Sequence, residues 1–429
     1  MTQSIPPSAP NAKSKILRDP VHDIIAFDKT CPVEQVLLAL INTPEVQRLR
    51  RVRQLGLTNL VYHGAEHSRF VHSLGATAIA RRMVDTLRPN GAERERLVVL
   101  AAVLCHDLGH GPFSHVFERI SGSHHETITQ ELITTPGTGV YEVLAAHDTT
   151  LPTDVAALVS DDSSDNPLKH IVSSQLDADR FDYILRDGLA TGVRIGVFDM
   201  ERILSMLEER DNRICVSFRA LEAVEGYLLA RFHMYKQVYL HKTSRAAERM
   251  LESVIRRASD LAESGAYTFN WFPNGAMGRL VRGELNGGHD IAQLDDMDVW
   301  YALKRWVHET DSILSELAGG LVFRRLYKTI PLSDDAAGAQ LRADAVEVAT
   351  SLGLDPTYQV LEDSSVDTPY KPYIPGESHV NGSIQILQQD GTVRPIEQVS
   401  DVIRLLGELR YQVRRLVVPS VVAERMLGR

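Results

Sequence analysis

The chain has 429 residues, of which 44% are hydrophobic and 24% are charged, a composition typical of soluble globular proteins. Its net charge of −10 argues against broad electrostatic binding to nucleic acid or to an anionic membrane. Its three cysteines are too dispersed for a disulfide framework, and no apolar run forms a signal peptide or approaches the roughly 18 residues of a membrane span. We therefore expect a cytoplasmic protein with neither nucleic acid nor membrane as a partner.

Helical patterns dominate the chain up to about residue 330. Residues 1–14 carry no such pattern and are expected to form a disordered N-terminal arm. Apolar periodicity then predicts helices, in chain order, within 33–56, 72–87, 91–110, 124–133, 173–192, 220–265, 297–307 and 312–328. The segment 220–265 allows either one very long helix or a broken pair.

The character of the sequence changes after residue 330. The pieces "TYQVLE" and "SIQILQQDGTVRPI" have strand-like composition, and Asp390-Gly391 is a hairpin turn signal. A loop rich in proline and glycine, 368–383, separates them, and its role is open. The sequence thus predicts a mainly α protein, with a helical domain over 15–330 and a small α+β subdomain over 331–429.

The stretch "VLCHDLGHGPFSHVFE", residues 103–118, places three histidines and two carboxylates directly after an apolar helix. His106 and Asp107 follow the apolar part of that helix, and His110 lies one helical turn beyond His106, on the same face. Gly109, Gly111 and Pro112 interrupt the helix. His115 and Glu118, which are three residues apart, are therefore expected on the next helix, where the carboxylate can orient the imidazole.

A metal ion explains this stretch better than hydrogen-bonded core histidines, because so many buried polar groups are hard to satisfy at once. Imidazole and carboxylate together favour mid-range divalent ions. The remaining ligands must come from other segments. Candidates are His67 and His72 in "HSRFVHSLG" and Asp177, Asp179, Asp182 and Asp187 in "LDADRFDYILRD". By contrast, His22, His147 and His289 lack such a context and are expected on the surface or in turns.

The three motifs "HSRFVHSLG", "HDLGHGPFSHVFE" and "LDADRFDYILRD" resemble, in this order, those of the HD-domain phosphohydrolases. More narrowly, they resemble the deoxynucleoside triphosphate (dNTP) triphosphohydrolases of that family. The resemblance covers residues 15–245 and, more weakly, the C-terminal part. It implies an HD-domain helical core and a divalent metal cofactor, which can be Mn, Mg, Fe, Ni or Zn.

The resemblance also implies roles for individual residues. The metal ligands match His72, His106, Asp107 and Asp179, and the catalytic pair matches His115 and Glu118. The histidines around the α-phosphate match His110 and His125. The residues that line the triphosphate and the sugar match Arg69, Arg180, Tyr183 and Arg231, with Arg180 in place of a lysine that is common in relatives. The surroundings of the sugar 3′-hydroxyl match Gln54, Leu55 and Asp187, and Tyr239 falls near the base.

Regulation is a further implication of the resemblance. The segment "RLRRVR" of relatives contributes to an activator nucleotide site between subunits, with Gln47 and Arg50 of this chain matching. Vertebrate members carry an aspartate in the position of Asn42, where it reads a guanine edge. Asparagine offers both a donor and an acceptor, so guanine-specific activation is in doubt. Family members of this shape form homo-oligomers, either dimers or tetramers.

The function that these features predict is hydrolysis of a dNTP to deoxynucleoside and inorganic triphosphate. A metal-bound water is expected to attack the α-phosphorus while His115 acts as the general acid. One alternative is another HD-type phosphohydrolase, a nucleotidase or a phosphodiesterase acting on a signalling nucleotide or a nucleic-acid end. Another is a nucleotide-binding regulator without catalytic activity, which the complete set of ligands disfavours. The sequence leaves open the metal, the preferred base and the need for an activator.

Overall fold

A computed structural model describes residues 13–160, 166–265, 275–367, 383–409 and 411–428. Helices make up most of it, which confirms the predicted mainly α class. Up to residue 160 they are α1 (Pro32–Ile41), α2 (Pro44–Arg48), α3 (Arg69–Leu87), α4 (Glu93–Cys105), α5 (His115–Ser121), α6 (His125–Thr134), α7 (Gly139–His147) and α8 (Leu151–Val159).

Further helices follow in the rest of the described chain. They are α9 (Lys169–Val172), α10 (Ala178–Thr191), α11 (Met200–Leu204), α12 (Leu221–Met234), α13 (Lys242–Glu263), α14 (Ala276–Val281), α15 (Gly287–Ile291), α16 (Asp296–Trp306), α17 (Ser312–Val322), α18 (Ala336–Ser351), α19 (Pro356–Gln359), α20 (Asp401–Glu408) and α21 (Ser420–Met426). Within the described part of the chain, none of these helices has the length and apolarity that a membrane crossing requires.

Within the described residues the strands form three small sheets. The strands β1 (Ser14–Asp19) and β2 (Asp23–Asp28) form an antiparallel hairpin. A four-stranded sheet has the order β3 (Leu207–Arg210), β4 (Arg213–Ser217), β7 (Gln385–Leu387) and β8 (Val393–Pro395). A three-stranded antiparallel sheet has the order β5 (Lys328–Pro331), β9 (Tyr411–Val418) and β6 (Leu361–Asp367).

Helix α4 forms the centre of the main core, because every residue from Leu97 to Cys105 is buried. Helices α3 and α8 pack against it, and α10 packs against the other side of α3. Gly75 allows the close approach of α3 and α10, since a Cβ atom at this position would lie 2.0 Å from Oδ1 of Asp182. This packing brings the C-terminal end of α4 next to the first turns of α3 and α10.

Several predictions about local structure can be compared with these elements. The Asp390-Gly391 hairpin is confirmed, since β7 and β8 pair antiparallel across it. The segment 220–265 is a broken pair, in which a π-helical turn, Tyr235–Tyr239, separates α12 from α13. The strands β1 to β4 were not predicted, because runs of four to six residues give little periodicity beside long helical patterns.

The predicted subdomain boundary at residue 330 stays a prediction, and two of the sheets cross it. Strand β4 pairs in parallel with β7, and β5 pairs with β9. Residues 1–12 of the predicted arm lie outside the described residues, whereas Ser14 already belongs to β1. The predicted 368–383 loop lies outside the described residues except for Ser383, which is buried.

Candidate active site

The four predicted metal ligands converge at the buried ends of three helices. Nε2 of His72 lies 3.4 Å from Nε2 of His106 and 3.0 Å from Oδ1 of Asp179. The carboxylate of Asp107 completes the group, with Oδ1 3.4 Å from Nε2 of His106 and Oδ2 3.8 Å from Nε2 of His72. One short motif and two distant segments thus bring together donors that could hold a metal ion, with His72, His106 and Asp179 the closest group.

The orientation of both histidines fits a metal ion. Nδ1 of His72 donates to Asp182 at 2.8 Å, and Nδ1 of His106 donates to the carbonyl of Val103 at 2.7 Å. Each ring is thereby fixed with Nε2 toward the carboxylates, which is the usual arrangement for metal-binding histidines. Imidazole and carboxylate donors of this kind suit mid-range divalent ions.

The electrostatics of the group also favour a cation. Burial alone would lower the pKa of His72, but hydrogen bonds to Asp179 and Asp182 raise it to about 10. Burial would raise the pKa of Asp179, yet the neighbouring His106 and His72 hold it below its ordinary value. The site therefore stabilises positive charge between its carboxylates, whether a proton or a metal ion carries that charge.

Helix α5 carries the predicted catalytic pair. Nδ1 of His115 donates to Oε2 of Glu118 at 2.8 Å, and the imidazole and the backbone N–H of His125 both donate to Oε1. Burial would raise the pKa of Glu118, but the hydrogen bonds from His115 and His125 lower it below its ordinary value. Glu118 is therefore ionised at neutral pH and holds His115, whose side chain is 65% exposed, in one orientation.

His110 lies between this catalytic group and the metal ligands. Its ring stacks on that of His125, with centroids 3.8 Å apart and planes 15° apart, and its Nε2 is 3.3 Å from Oδ1 of Asp107. Burial and the nearby Arg69 lower the pKa of His110 well below its usual value, so the ring is neutral. Two imidazoles stacked in parallel cannot both point in-plane at one ion. The cluster of His110, His115, Glu118 and His125 is thus suited to proton transfer rather than to a second metal.

One cavity of about 560 Å³ joins these groups. Its walls include most of the residues predicted from the sequence, namely Gln54, Leu55, Arg69, His106, Asp107, His110, His115, His125, Asp179, Arg180, Tyr183, Asp187 and Tyr239. His72 is fully buried behind this wall, and Glu118 contacts the wall residues His115 and His125. Arg231 is not a wall residue, and its Nη1 donates to Gln175 at 2.6 Å.

The arginines of the cavity are anchored by protein carboxylates. Arg69, which is buried, donates from Nη1 to Oδ2 of Asp107 at 2.7 Å and from Nε to the hydroxyl of Ser114 at 2.8 Å. Arg180 pairs with the buried Asp177, which is also the N-cap of α10. Both guanidinium groups are therefore held in fixed positions at the cavity wall, where they can bind an anion without first becoming ordered.

The opposite end of the cavity is polar and aromatic. The hydroxyl of Tyr239 donates to Oδ2 of Asp187 at 2.8 Å, and Nε2 of His67 donates to Oδ1 at 2.7 Å. The ring of Tyr183 meets that of Tyr239 edge to face, with centroids 6.1 Å apart. Among the described residues, no group hydrogen-bonds the buried Oε1 of Gln54. This end thus offers an unsatisfied acceptor beside aromatic rings.

Comparisons with known proteins show the family of the chain. Residues 69–185 match the HD domain, and residues 198–286 match the HD associated region. An uncharacterized protein of Bacillus subtilis, YwfO, is 37% identical over 96% of this chain and 94% of its own length. The chain belongs to the HD-domain family.

Two further relatives carry functional descriptions. A crystal structure of a phosphohydrolase from Bacteroides thetaiotaomicron has a TM-score of 0.81 and 33% identity, covering 94% of this chain and 99% of that chain. The human deoxynucleoside triphosphate triphosphohydrolase SAMHD1 is 26% identical over 95% of this chain and 62% of its own length. The chain is therefore an HD-domain phosphohydrolase by family, and SAMHD1 proteins are among its relatives.

The structure adds residues to this HD-domain site that the sequence analysis missed. His22, expected on the surface or in a turn, lies in the turn between β1 and β2, but its largely buried side chain donates from Nε2 to Oδ1 of Asp182 at 2.6 Å. Arg186 donates to both Asp182 and Asp19. His72 is thus backed by a buried chain of charged groups. The only sign of this buried chain in the sequence is the spacing of Asp182 and Arg186, which lie four residues apart on one helix.

The three residues predicted at an activator site lie together, away from the cavity of the HD domain. Asn42 follows α1, and its side chain donates to Leu38. The side-chain amide of Gln47 donates to the carbonyl of Ile41 at 2.7 Å, and Arg50 donates from Nε to Oε1 of Gln47 at 2.8 Å. The exposed guanidinium of Arg50 also lies 3.6 Å from the ring centroid of Phe70. Gln47 thus contacts Arg50 and the carbonyl of Ile41, the residue before Asn42; Asn42 and Arg50 are exposed, and Gln47 is half-buried.

Proposed function

We propose that this HD-domain protein is a metal-dependent triphosphohydrolase that converts a dNTP into deoxynucleoside and inorganic triphosphate. The observation that carries the proposal is one cavity lined by His106, Asp107 and Asp179 of the metal-ligand group and by His115, whose imidazole Glu118 holds. A general HD phosphohydrolase needs only the metal ligands, whereas hydrolysis at the α-phosphorus also needs an acid for the 5′-oxygen. The relation to SAMHD1 proteins, 26–30% identical, supports the same choice of substrate.

The metal would be held by His72, His106, Asp107 and Asp179. When bound, a divalent ion there would act as a Lewis acid, lowering the pKa of a water and neutralising charge on the α-phosphate. Mn, Mg, Fe, Ni and Zn all suit such donors, and the donor set does not select among them.

The phosphate chain would be bound by the cavity arginines. Arg69 adjoins the metal ligands through Asp107, so its guanidinium is suited to an α-phosphate oxygen. Arg180 lies on α10, one residue after the ligand Asp179, and would bind the outer phosphates. Arg231 stands behind this wall and would act through its contacts with Gln175 and Tyr235.

His115 would supply the proton that the leaving group needs. A water oxygen forms the new bond to the α-phosphorus, the bond from phosphorus to the 5′-oxygen breaks, and His115 protonates that oxygen. The proton lost by the water passes to solvent, from which His115 is later reprotonated. Glu118 remains ionised throughout and keeps the imidazole in place, because it accepts from both His115 and His125.

The sugar and base would occupy the other end of the cavity. The unsatisfied Oε1 of Gln54 can accept from a sugar hydroxyl, and the Tyr239–Asp187 pair lies at the same wall. The rings of Tyr183 and Tyr239 offer an aromatic surface to the nucleoside. A volume of about 560 Å³ is within the usual range for sites of small-molecule ligands of this size.

The product decides this proposal. The purified protein is incubated with each dNTP, singly and in mixtures, with Mn or Mg, and the nucleoside and phosphate products are resolved by chromatography. We expect deoxynucleoside and inorganic triphosphate in equal amounts. Release of orthophosphate or pyrophosphate would instead identify a nucleotidase or a pyrophosphohydrolase. Hydrolysis of only a signalling nucleotide or a nucleic-acid end would favour the phosphodiesterase alternative.

We further propose that Asn42, Gln47 and Arg50 form an activator nucleotide site and that the protein is a homo-oligomer. The hydrogen bonds of Gln47 to Arg50 and to the carbonyl of Ile41, which adjoins Asn42, support the first proposal. Mixtures of dNTPs are then expected to be hydrolysed faster than single ones, and Arg50→Glu is expected to abolish this stimulation. Light scattering with and without dNTPs measures the oligomeric state directly.

A further inference from the structure

Asp296, the first residue of α16, connects two segments of the site from behind. It is 2% exposed. Its Oδ1 accepts from the backbone N–H of Phe113 at 2.8 Å, and its Oδ2 accepts from the backbone N–H of Arg53 at 3.0 Å. Phe113 precedes the catalytic helix α5 by two residues, and Arg53 precedes the cavity residue Gln54.

The segment that Asp296 holds has an unusual backbone. Phe113 and Ser114 have φ angles of 56° and 58°, and the ψ of Ser114 is −118°. Consecutive residues other than glycine with positive φ each cost on the order of 1–3 kcal/mol and persist only where the surroundings enforce them. Since His115 follows directly, the direction in which α5 begins depends on this turn.

The hydroxyl of Ser114 ties the same turn to the metal ligands. It accepts from Nε of Arg69 and donates to the carbonyl of Arg53 at 3.0 Å. Arg69 in turn donates to the metal ligand Asp107. Asp296 therefore supports both a catalytic residue and a phosphate-binding residue, although its own side chain lines no part of the cavity.

We propose that Asp296 is a positioning residue that holds the Phe113–Ser114 turn, and through it His115 and Arg69, in the geometry needed for turnover. The inference rests on the proposed function where turnover is measured, but not where hydrogen exchange of the turn is measured.

The charged groups around Asp296 make its protonation state relevant. Nη1 of Arg53 lies 4.0 Å from Oδ2, and Arg48 and Arg51 lie on the same segment. Asp295 and Asp298 precede and follow it on its own helix. Burial has the largest effect on the pKa of Asp296 and raises it to about 6, although the two backbone hydrogen bonds and Arg53 act to lower it. Asp296 is thus ionised at pH 8 and becomes protonated as the pH falls through about 6.

The neighbouring Asp295 provides a matched control. Both carboxylates lie at the start of α16, but Asp295 accepts from Met297 and Arg51 and has no hydrogen bond to the turn. Asp296→Asn keeps the size of the side chain and replaces one acceptor by a donor that faces a backbone N–H. Asp295→Asn makes the same change one residue earlier.

The test compares kcat, KM, bound metal and hydrogen exchange of the two variants of the full chain at pH 8. For Asp296→Asn we expect kcat to fall roughly 10- to 100-fold, with metal content unchanged and KM altered much less. Peptides covering 108–118 should exchange faster in this variant and not in Asp295→Asn. The ratio of wild-type kcat to that of Asp296→Asn should shrink as the pH falls through 6.

Equal losses of kcat in the two variants, or unchanged exchange in 108–118, would overturn the proposal. If Asp296→Asn does not fold, Asp296→Glu, which keeps the charge on a longer arm, replaces it with the same expectations. If the wild-type protein does not hydrolyse dNTPs, the proposed function is refuted. Faster hydrogen exchange of 108–118 in Asp296→Asn, and not in Asp295→Asn, would then still support the positioning role.

Discussion

The imidazole of His22 lies against the carboxylate of Asp182, with Nε2 2.6 Å from Oδ1. The other oxygen of Asp182 accepts from Nδ1 of His72, a proposed metal ligand, at 2.8 Å. The turn of the N-terminal hairpin therefore reaches the metal group through a single buried carboxylate. The basicity and the orientation of His72 depend on residues that never face the cavity.

Replacement of Asp182 is expected to weaken metal binding. Asp182→Asn removes the charged acceptor of His72, and such partners typically contribute about 10–100-fold to metal affinity. We expect a loss of this size in the affinity for Mn, measured by calorimetric titration of metal-free protein. His22→Ala, which leaves the contact of Asp182 with His72 in place, should have a smaller effect in the same direction.

The control for this series is His147→Ala, since His147 is exposed and lies at the end of α7. Its affinity for Mn should equal that of the wild type. An Asp182→Asn protein with wild-type affinity and a native circular dichroism spectrum would show that this carboxylate does not support the metal site.

Replacement of His115 should separate metal binding from turnover. His115→Ala removes the proposed general acid, so kcat should fall by roughly 10²–10⁴-fold. The metal content should stay unchanged, because His115 is not among the ligands. His124→Ala is the matched control, since His124 is an exposed histidine next to α6. Comparable activity of the two variants would exclude His115 as the acid.

Gly75 is expected to tolerate no side chain. A Cβ atom there would lie 2.0 Å from Oδ1 of Asp182 and 2.3 Å from Nη2 of Arg186. Gly75→Ala should therefore lower the free energy of unfolding by roughly 1–3 kcal/mol and weaken metal binding as well. Gly226→Ala in α12, where the added Cβ meets no atom within 4 Å, should instead stabilise the protein by about 0.5–1 kcal/mol. Denaturant titrations of both variants test this contrast.

The raised pKa of Asp296, about 6 against an ordinary value of 3.8, predicts a pH-dependent stability. Between these two values the folded state binds more protons than the unfolded state, so this group makes the protein less stable as the pH rises. From pH 4 to pH 7 the stability of the wild type should fall relative to Asp296→Asn, by up to about 3 kcal/mol. A stability difference that does not change with pH would contradict the assignment.

The stretch 103–118 could be singled out because its signals are local: His106, Asp107, His110, His115 and Glu118 lie close together in the sequence. The helix expected to continue to His110 ends instead at Cys105, so only His115 and Glu118 lie on a helix. His72 and Asp179 come from distant segments, and only the family resemblance selected them from their neighbours. Apolar periodicity indicated most of the helices. Such patterns can be recognised in the sequence because residues that are neighbours along one helix remain neighbours in the folded protein.

The supporting residues could not be predicted in this way. His22 and Asp182 are separated by 160 positions, and Phe113 and Asp296 by 183. Nothing in the sequence around Asp296 distinguishes it from Asp295, although one is a helix cap and the other supports the catalytic turn. Such roles arise only once distant segments pack together.

The parallel pairing of β4 with β7 has a consequence for protein engineering. Strand β7 pairs with β4, which lies some 170 positions earlier in the chain, and Ile386 of β7 is fully buried. A chain cut after residue 330 would leave the edge of β4 unpaired and expose apolar surface. We therefore expect that the C-terminal part cannot be exchanged between relatives as an independent cassette, and chimeras should place their junctions outside the span from β3 to β9, since β9 pairs with β5 and β6.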